Sequence, residues 1–432
     1  MKFTELDLND NIIQSLNKNN FFNPTEIQKQ AIPAFLRGDN IFGLSSTGTG
    51  KTASFVLPII ERLNLELDKI QAIIITPTRE LALQIIDEIR KFSTNIKKLK
   101  VTPVIGGANL SEQQRRLRNT HIIVGTPGRI RDHIERKNIR FGYVKTIILD
   151  EADEMLKMGF QGELNAVFDN LEQSVQVGLF SATSTPKVLS IAERYMQKYE
   201  LIKIDNQIQV NNNIDNSFIF TKGVSKEELI IEVFKKHNPK KVIIFTNTRA
   251  NTDRIQRNLR QLKIDALVIN GDKKQSDRSR SIRMFKSGEK HVLVATDVAA
   301  RGLDVNGIDY VINYDISMEN EHFVHRIGRT GRNNEKGSSI SFVQNRSTLD
   351  QLKEIQKKYN ISIVETKLNH YDMEAKAELR SERNFDNKWK SRSNNFYDKG
   401  GSNFNRKKSS GGRKSSYNGK SYSSREKSSN KW

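Results

Sequence analysis

From the N-terminus to about residue 370, short β-branched apolar runs alternate with longer stretches whose apolar residues recur at helical spacing. The first kind of run predicts buried strands and the second amphipathic helices. Together they predict an α/β protein of strand–helix–strand units around parallel sheets. In the first half the expected strands are 41–44, 72–76, 122–125, 146–149 and 177–180. A second set follows at 242–245, 266–269, 292–295, 310–312 and 339–342. Between the two sets, 205–216 (DNQIQVNNNIDN) is polar, Asn-rich and weak in either periodicity, which marks a linker. The expected organisation is a domain over 1–205, a linker over 206–216, a second domain over 217–370 and a tail over 371–432. Nearly every charged or Gly-rich cluster comes directly after an expected strand, where open parallel sheets bind ligands, so the clusters should converge across a cleft.

The strand at 41–44 leads into SSTGTGKT (45–52) and then a helical stretch, the context of a phosphate-binding loop. Ser46, Thr47, Gly48, Thr49 and Gly50 would wrap phosphate oxygens with backbone amides. Lys51 would reach the β/γ-phosphates and Thr52 would ligate Mg2+. The strict pattern has Gly at position 45, where this chain has Ser; the competing reading is a Gly-rich turn capping an ordinary helix. The strand at 146–149 ends in Asp150-Glu151-Ala152-Asp153. There Asp150 would hold Mg2+ and Glu151 would orient and deprotonate an attacking water. A solvated helix N-terminus, which also favours acids, is the alternative for some of these carboxylates.

Charge and composition narrow the partner. The 432 residues carry a formal net charge of +21 with a pI of 9.8, a surplus of cations that attracts polyanions such as nucleic acid. No apolar run reaches the ~20 residues of a membrane span and the N-terminus lacks a secretory layout, which predicts a cytoplasmic protein. Zero cysteines exclude disulfides, thiolate metal sites and a Cys nucleophile. The surplus is uneven, because residues 381–432 hold 14 Lys and Arg against 4 Asp and Glu. That Ser-, Gly- and Asn-rich segment has almost no aliphatic residues and is expected to be disordered.

On these residues the chain resembles the DEAD-box ATP-dependent RNA helicases. Residues 150–153 spell the family's name, and the phosphate loop is close to the family's AxTGxGKT, with Ser45 in place of Ala. Phe21-x-x-Pro24-Thr25-x-Ile27-Gln28 is similar to the family's Q motif, with Phe3 as the isolated upstream aromatic and Asn20 where Gly is usual. If that Gly ends a helix in the left-handed conformation, Asn is the next-best residue. Pro77-Thr78-Arg79-Glu80-Leu81-Ala82, Gly106-Gly107, Thr126-Pro127-Gly128-Arg129 and Ser181-Ala182-Thr183 resemble the remaining motifs of the first domain. Phe245-Thr246-Asn247-Thr248, Gln275-x-x-Arg278, Ala295-Thr296-Asp297, Arg301-Gly302-Leu303-Asp304 and His325-Arg326-x-Gly328-Arg329-x-Gly331-Arg332 resemble those of the second. They follow the family's order from residue 3 to about 345.

The resemblance implies two tandem RecA-like domains that bind ATP and one RNA strand, and it supplies residue roles. Gln28 would recognise adenine and Phe21 stack on it, while Asp304 would contact the ribose, although a plain turn residue fits Asp304 nearly as well. Arg329 and Arg332 would reach the γ-phosphate, with Arg332 the arginine finger. Ser181, Thr183, Asp153 and His325 would couple the two ligands, a structural histidine being the close second for His325. Arg79, Gly107, Thr126, Arg129, Thr248, Gly271, Arg278 and Thr296 would hold RNA sugars and phosphates without reading bases. The implied cycle is closure on ATP and RNA, bending of one strand away from its duplex, and release after hydrolysis. Two rivals stay open: a DNA helicase, separable by 2′-deoxy substitution, and an ATP-gated RNA clamp or chaperone, separable by phosphate release.

Overall fold

Short runs made mostly of apolar residues give strands buried along their whole length. Ala72–Ile75, Ile122–Gly125, Thr146–Leu149, Val242–Phe245, Val292–Ala295 and Tyr310–Asn313 have no exposed residue. Such strands need cover on both faces, and helices supply it. The computed structural model describes residues 1–45, 49–172, 174–204, 213–221, 224–300, 303, 305, 307–331 and 335–366.

Two seven-stranded sheets result, parallel throughout. In the first lobe, β1 (Ile41–Leu44), β2 (Ala72–Ile75), β3 (Val101–Val104), β4 (Ile122–Gly125), β5 (Thr146–Leu149), β6 (Gln176–Ser181) and β7 (Glu200–Lys203) lie in the order β3-β4-β2-β5-β6-β1-β7. In the second, β8 (Ile214–Phe220), β9 (Val242–Phe245), β10 (Ala266–Ile269), β11 (Val292–Ala295), β12 (Tyr310–Asn313), β13 (Gly337–Val343) and β14 (Ile363–Glu365) lie in the order β10-β11-β9-β12-β13-β8-β14. The two orders superpose strand for strand. Apolar clusters fill both faces of each sheet, one built on Phe35, Phe55 and Ile74 and its opposite on Ile73, Leu149 and Leu179 in the first lobe. In the second lobe, Ile244 and Phe342 face one way and Phe245 and Phe285 the other.

Four strands lie outside the expected set. β3, β7 and β14 are edge or near-terminal strands with mixed burial, and β3 contains Pro103, which an edge tolerates. β8 corrects the expected linker: Ile214–Phe220 is strand, so the second sheet begins inside 206–216. Its polar residues are satisfied internally, with Ser339 Oγ donating to Asn216 Oδ1 at 2.7 Å. The tail, 371–432, lies outside the described residues. Among the described residues no helix is long and apolar enough to cross a membrane.

Strand order sorts the motifs. The loops after β5, β6 and β1, neighbours in the sheet, carry the DEAD, SAT and phosphate-loop residues. The loops after β3, β4 and β2 carry Gly106-Gly107, Thr126–Arg129 and Thr78-Arg79. One half of the sheet is thus set aside for each expected ligand.

Candidate functional site

The helix Lys51–Arg62 starts directly behind Gly50, which sits at φ 89°. A Cβ there would stand 2.4 Å from Gln28 Nε2, so position and conformation both require glycine. Gln28 is buried, accepts the Thr25 amide at 2.9 Å and donates to the Gly50 carbonyl at 2.9 Å, tying the Q motif to the phosphate loop. Lys51 is buried as well and donates to Ser45 O at 3.1 Å. Phe21 is 41% exposed and packs edge-on against Phe92. It is aimed by the helix Asp10–Lys18, which ends with Asn20 at φ 61°; the Asn20 amide donates to Asn17 O at 3.1 Å and the Phe21 amide to Leu16 O at 2.9 Å. Asn20 therefore does occupy the left-handed cap position, where glycine is usual. Ser46, Thr47 and Gly48 lie outside the described residues.

Asp150 is 3% exposed at the end of β5, and burial pushes its carboxyl above the usual range against the opposing charge of Lys51. Glu151 follows at φ 53°, a left-handed conformation that non-glycine residues rarely adopt and that clusters at functional sites. It caps the helix Ala152–Lys157. Asp153 Oδ2 accepts both the Thr183 hydroxyl, at 2.8 Å, and the Thr183 amide, at 3.1 Å. Ser181 Oγ donates to Thr183 O at 2.7 Å. The expected coupling residues of the first lobe are therefore joined directly.

In the second lobe the helix Asn320–Ile327 delivers the arginines. Arg329 is half-buried and donates to Leu303 O at 3.0 Å and His325 O at 3.3 Å. Asp304 and Arg332 lie outside the described residues. Arg326, to which the sequence assigns no single role, is the largest fully buried side chain, 1% exposed. Its guanidinium pairs with both oxygens of Asp297 at 2.5 and 2.7 Å, and donates to Asp315 O at 2.5 Å and Asn247 Oδ1 at 2.8 Å. It ties together the chain ends after β9, β11 and β12. An arginine inside a helix of apolar neighbours, with acids after two strands, was the available signal.

On the other half of the site Arg79 lies over Gly106 and Gly107, where a Cβ at Gly107 (φ 80°) would stand 2.7 Å from its guanidinium. Arg129 donates to Ala108 O at 3.1 Å. Burial first, and then the charges of Arg278 and Arg129, lower the pKa of Arg79. Thr126 and Thr248 stand at helix N-caps, and Thr296 is buried at the end of β11. Gly271 packs against Arg249, a residue absent from the expected set. Arg278 is buried and paired with Glu80 of the first lobe at 2.5 Å, so its charge is matched across the lobes. Arg79 also donates to Gln275 across the same boundary, at 3.5 Å.

Residues 25–191 match the DEAD/DEAH box helicase model and 225–334 the helicase conserved C-terminal domain. The ATP-dependent RNA helicase CshA of Limosilactobacillus reuteri is 40% identical over 83% of this chain and 72% of its own. The DEAD-box ATP-dependent RNA helicase CshA of Bacillus subtilis is 40% identical over 79% of this chain and 69% of its own. Among solved structures, S. cerevisiae Dbp5 bound to RNA and ADP BeF3 matches with a TM-score of 0.78 at 30% identity, covering 87% of this chain and 98% of that one. With one family model matched in each lobe and relatives matched over most of their length, the chain belongs to the DEAD-box family of ATP-dependent RNA helicases.

Proposed function

We propose that the chain hydrolyses ATP in response to RNA and uses the cycle to separate short stretches of duplex, its lobes closing on ATP-Mg2+ and one RNA strand. The observation that carries this reading is that both halves of the site bridge the lobes: Glu80–Arg278 on the RNA half and Lys157–Glu321 on the phosphate half. Ligands held at such boundaries favour the closed arrangement by their differential affinity for it.

The residues present fit the nucleotide and its metal. A buried lysine at a helix start suits a phosphate, and a buried carboxylate beside it suits a divalent cation that the phosphate also binds. Thr52 and Asp150 would hold Mg2+, which when bound neutralises charge on the phosphates. Phe21 and Gln28 would hold adenine, Asp304 the ribose, and residues 46–51 the phosphates. Glu151 takes a proton from water as the water oxygen bonds to the γ-phosphorus and the bond to the bridging oxygen breaks. Arg329 and Arg332, from the other lobe, stabilise the charge that develops, which makes hydrolysis conditional on closure. Asp153, Thr183, Ser181 and His325 relay between the halves. On the RNA half, Arg79, Arg129 and their neighbours Gly107, Thr126, Thr248, Gly271 and Thr296 hold the backbone. The crowding of Arg79 by two other guanidiniums is relieved by a phosphodiester.

Strand displacement tests the reading. A short labelled RNA duplex is expected to separate only with ATP, and Glu151→Gln to retain ATP and RNA without turnover. ATP-dependent RNA binding with neither phosphate release nor strand separation would favour the clamp instead. The tail supplies a second arm: its 14 cations and eight aromatics suit backbone contact and base stacking. Deleting 381–432 is expected to weaken RNA binding while ATPase at saturating RNA is kept. If about five tail cations neutralise phosphates, the salt dependence of log K becomes shallower by roughly 3–4 at ~0.7 per contact. An unchanged slope would remove the tail from RNA binding.

A further inference from the structure

The helix that begins at the DEAD carboxylates ends on a lysine that reaches the other lobe. Lys157 Nζ stands 3.0 Å from Glu154 of its own helix, and 2.9 Å from Glu321 and 3.4 Å from Glu319 of the second lobe. His322 Nε2 lies 3.3 Å from Glu319 and 3.7 Å from Glu154. The lysine side chain is 29% exposed, Glu321 14% and Glu154 5%, so the cluster is partly removed from water, where screening is weaker than at an open surface. Burial disfavours the ammonium, but the hydrogen bond to Glu321 and the charges of Glu154 and Glu321 outweigh it and push its pKa above the ordinary value. Take the cation away, and carboxylates from both lobes are left facing one another.

What this cluster joins gives it a role. Glu319 stands at the N-cap position of the helix Asn320–Ile327 and Glu321 lies in its first turn; the same helix leads into Gly328 and Arg329. On the first-lobe side, the helix ending at Lys157 is capped by Glu151. Lys157 therefore connects, through two short helices, the carboxylates expected to hold metal and water with the arginines expected to meet the γ-phosphate. We infer that Lys157 is a positioning residue for ATP hydrolysis, docking the arginine-bearing helix on the DEAD helix through Glu321 and Glu319 and so fixing the closed arrangement of the lobes. The inference rests on the ATPase reading above.

Closure and turnover are measured separately to test it. The chain has no cysteine, so one added at each of the exposed positions Asn170 and Gln261 allows a donor and acceptor dye to report lobe closure in the full chain. The probes are a non-hydrolysable ATP analogue with single-stranded RNA, and phosphate release is read in parallel with ATP. Lys157→Glu and Glu321→Lys are each expected to reduce the closed-to-open ratio and kcat about tenfold or more, the equivalent of ~1.4 kcal/mol. ATP affinity without RNA should change less than about twofold, because the groups expected to hold adenine, the phosphates and Mg2+, namely Phe21, Gln28, residues 46–52 and Asp150, lie on the first lobe. The double exchange Lys157→Glu/Glu321→Lys should recover most of the loss, and Lys157→Arg should retain closure. Unchanged closure in both charge reversals, or a double exchange no better than the worse single variant, would overturn the inference. Failure of the ATPase reading looks different: the unaltered chain would release no phosphate, while analogue-driven closure would still score the role of Lys157.

Discussion

The two lobes share one strand order but treat the same lysine position in opposite ways. Lys51 and Lys226 are each the first residue of the helix that follows topologically equivalent strands, β1 and β8. Behind Gly50, Lys51 donates only to its own loop among the bonds described, and the nearby carboxylate of Asp150 is raised by burial. Lys226 follows a Ser225/Glu228 capping box instead of glycine, binds Asp315 at 2.8 Å and Tyr314 O at 2.5 Å, and lies 4.4 Å from the Tyr314 ring centroid. Although burial opposes it, the bonds from Lys226 and Thr246 hold the Asp315 carboxyl below the usual range. A lysine satisfied by its own lobe is a fastener. One left short of a strong partner can serve a phosphate.

The sharpest break in this comparison is expected at the lysines themselves. Lys51→Ala should lower ATPase kcat/KM by about 10³-fold, as loss of a charge-stabilising donor does, with little change in thermal unfolding. Lys226→Ala should do the reverse. It removes the ammonium from the half-buried Asp315 carboxylate, which keeps its bonds from Thr246 and Asn247, costing about 2 kcal/mol of stability in denaturant unfolding, while activity per folded molecule stays within a few-fold. Equal activity losses in the two variants would contradict the distinction.

The paired carboxylates sharpen it with opposite signs. Asp315 has a depressed folded pKa, so its contribution is present above its ordinary 3.8 and is lost as pH falls through the lower folded value. Asp150 has a raised one, so its ionised form weighs against the fold at neutral pH. At neutral pH, Asp315→Asn should destabilise and Asp150→Asn stabilise, and both effects should fade in acid. Melting curves across pH would refute this if the two shifts had the same sign.

On the RNA half the lobes are alike, and there the smallest effects are expected. β2 ends in Thr76-Pro77-Thr78-Arg79 and β9 in Thr246-Asn247-Thr248-Arg249. Each second threonine caps its helix at 3.2 Å, and each arginine packs on glycine after the equivalent edge strand. Arg79→Ala and Arg249→Ala should therefore weaken RNA binding alike and each reduce the salt slope by about 0.7. Binding isotherms over salt that moved for Arg79 alone would break the parallel.

The repeated TxTR also explains what the sequence could and could not yield. Central strands are legible because burial on both faces demands unbroken apolar runs, as in Ala72–Ile75 and Val242–Phe245. The edges β7 and β14 bury few side chains, and β8 mixes Asp215 and Asn216 into a strand, so no period marks them. The motifs gave the nucleotide and RNA positions through their order. They did not give Lys157, the pairing of Arg278 with Glu80 or the anchoring of Arg326 on Asp297, because a side chain's charge partner in another strand end or another lobe leaves no local pattern. Arg249 was legible only by comparing the lobes.

Phosphate release by the full chain with ATP and Mg2+ tests the central claim most directly when single-stranded RNA is set against DNA of the same sequence. Strong stimulation is expected with RNA, little with DNA because the 2′-hydroxyl is missing, and none in Lys51→Ala. No hydrolysis with RNA, or equal stimulation by both polymers, would contradict it.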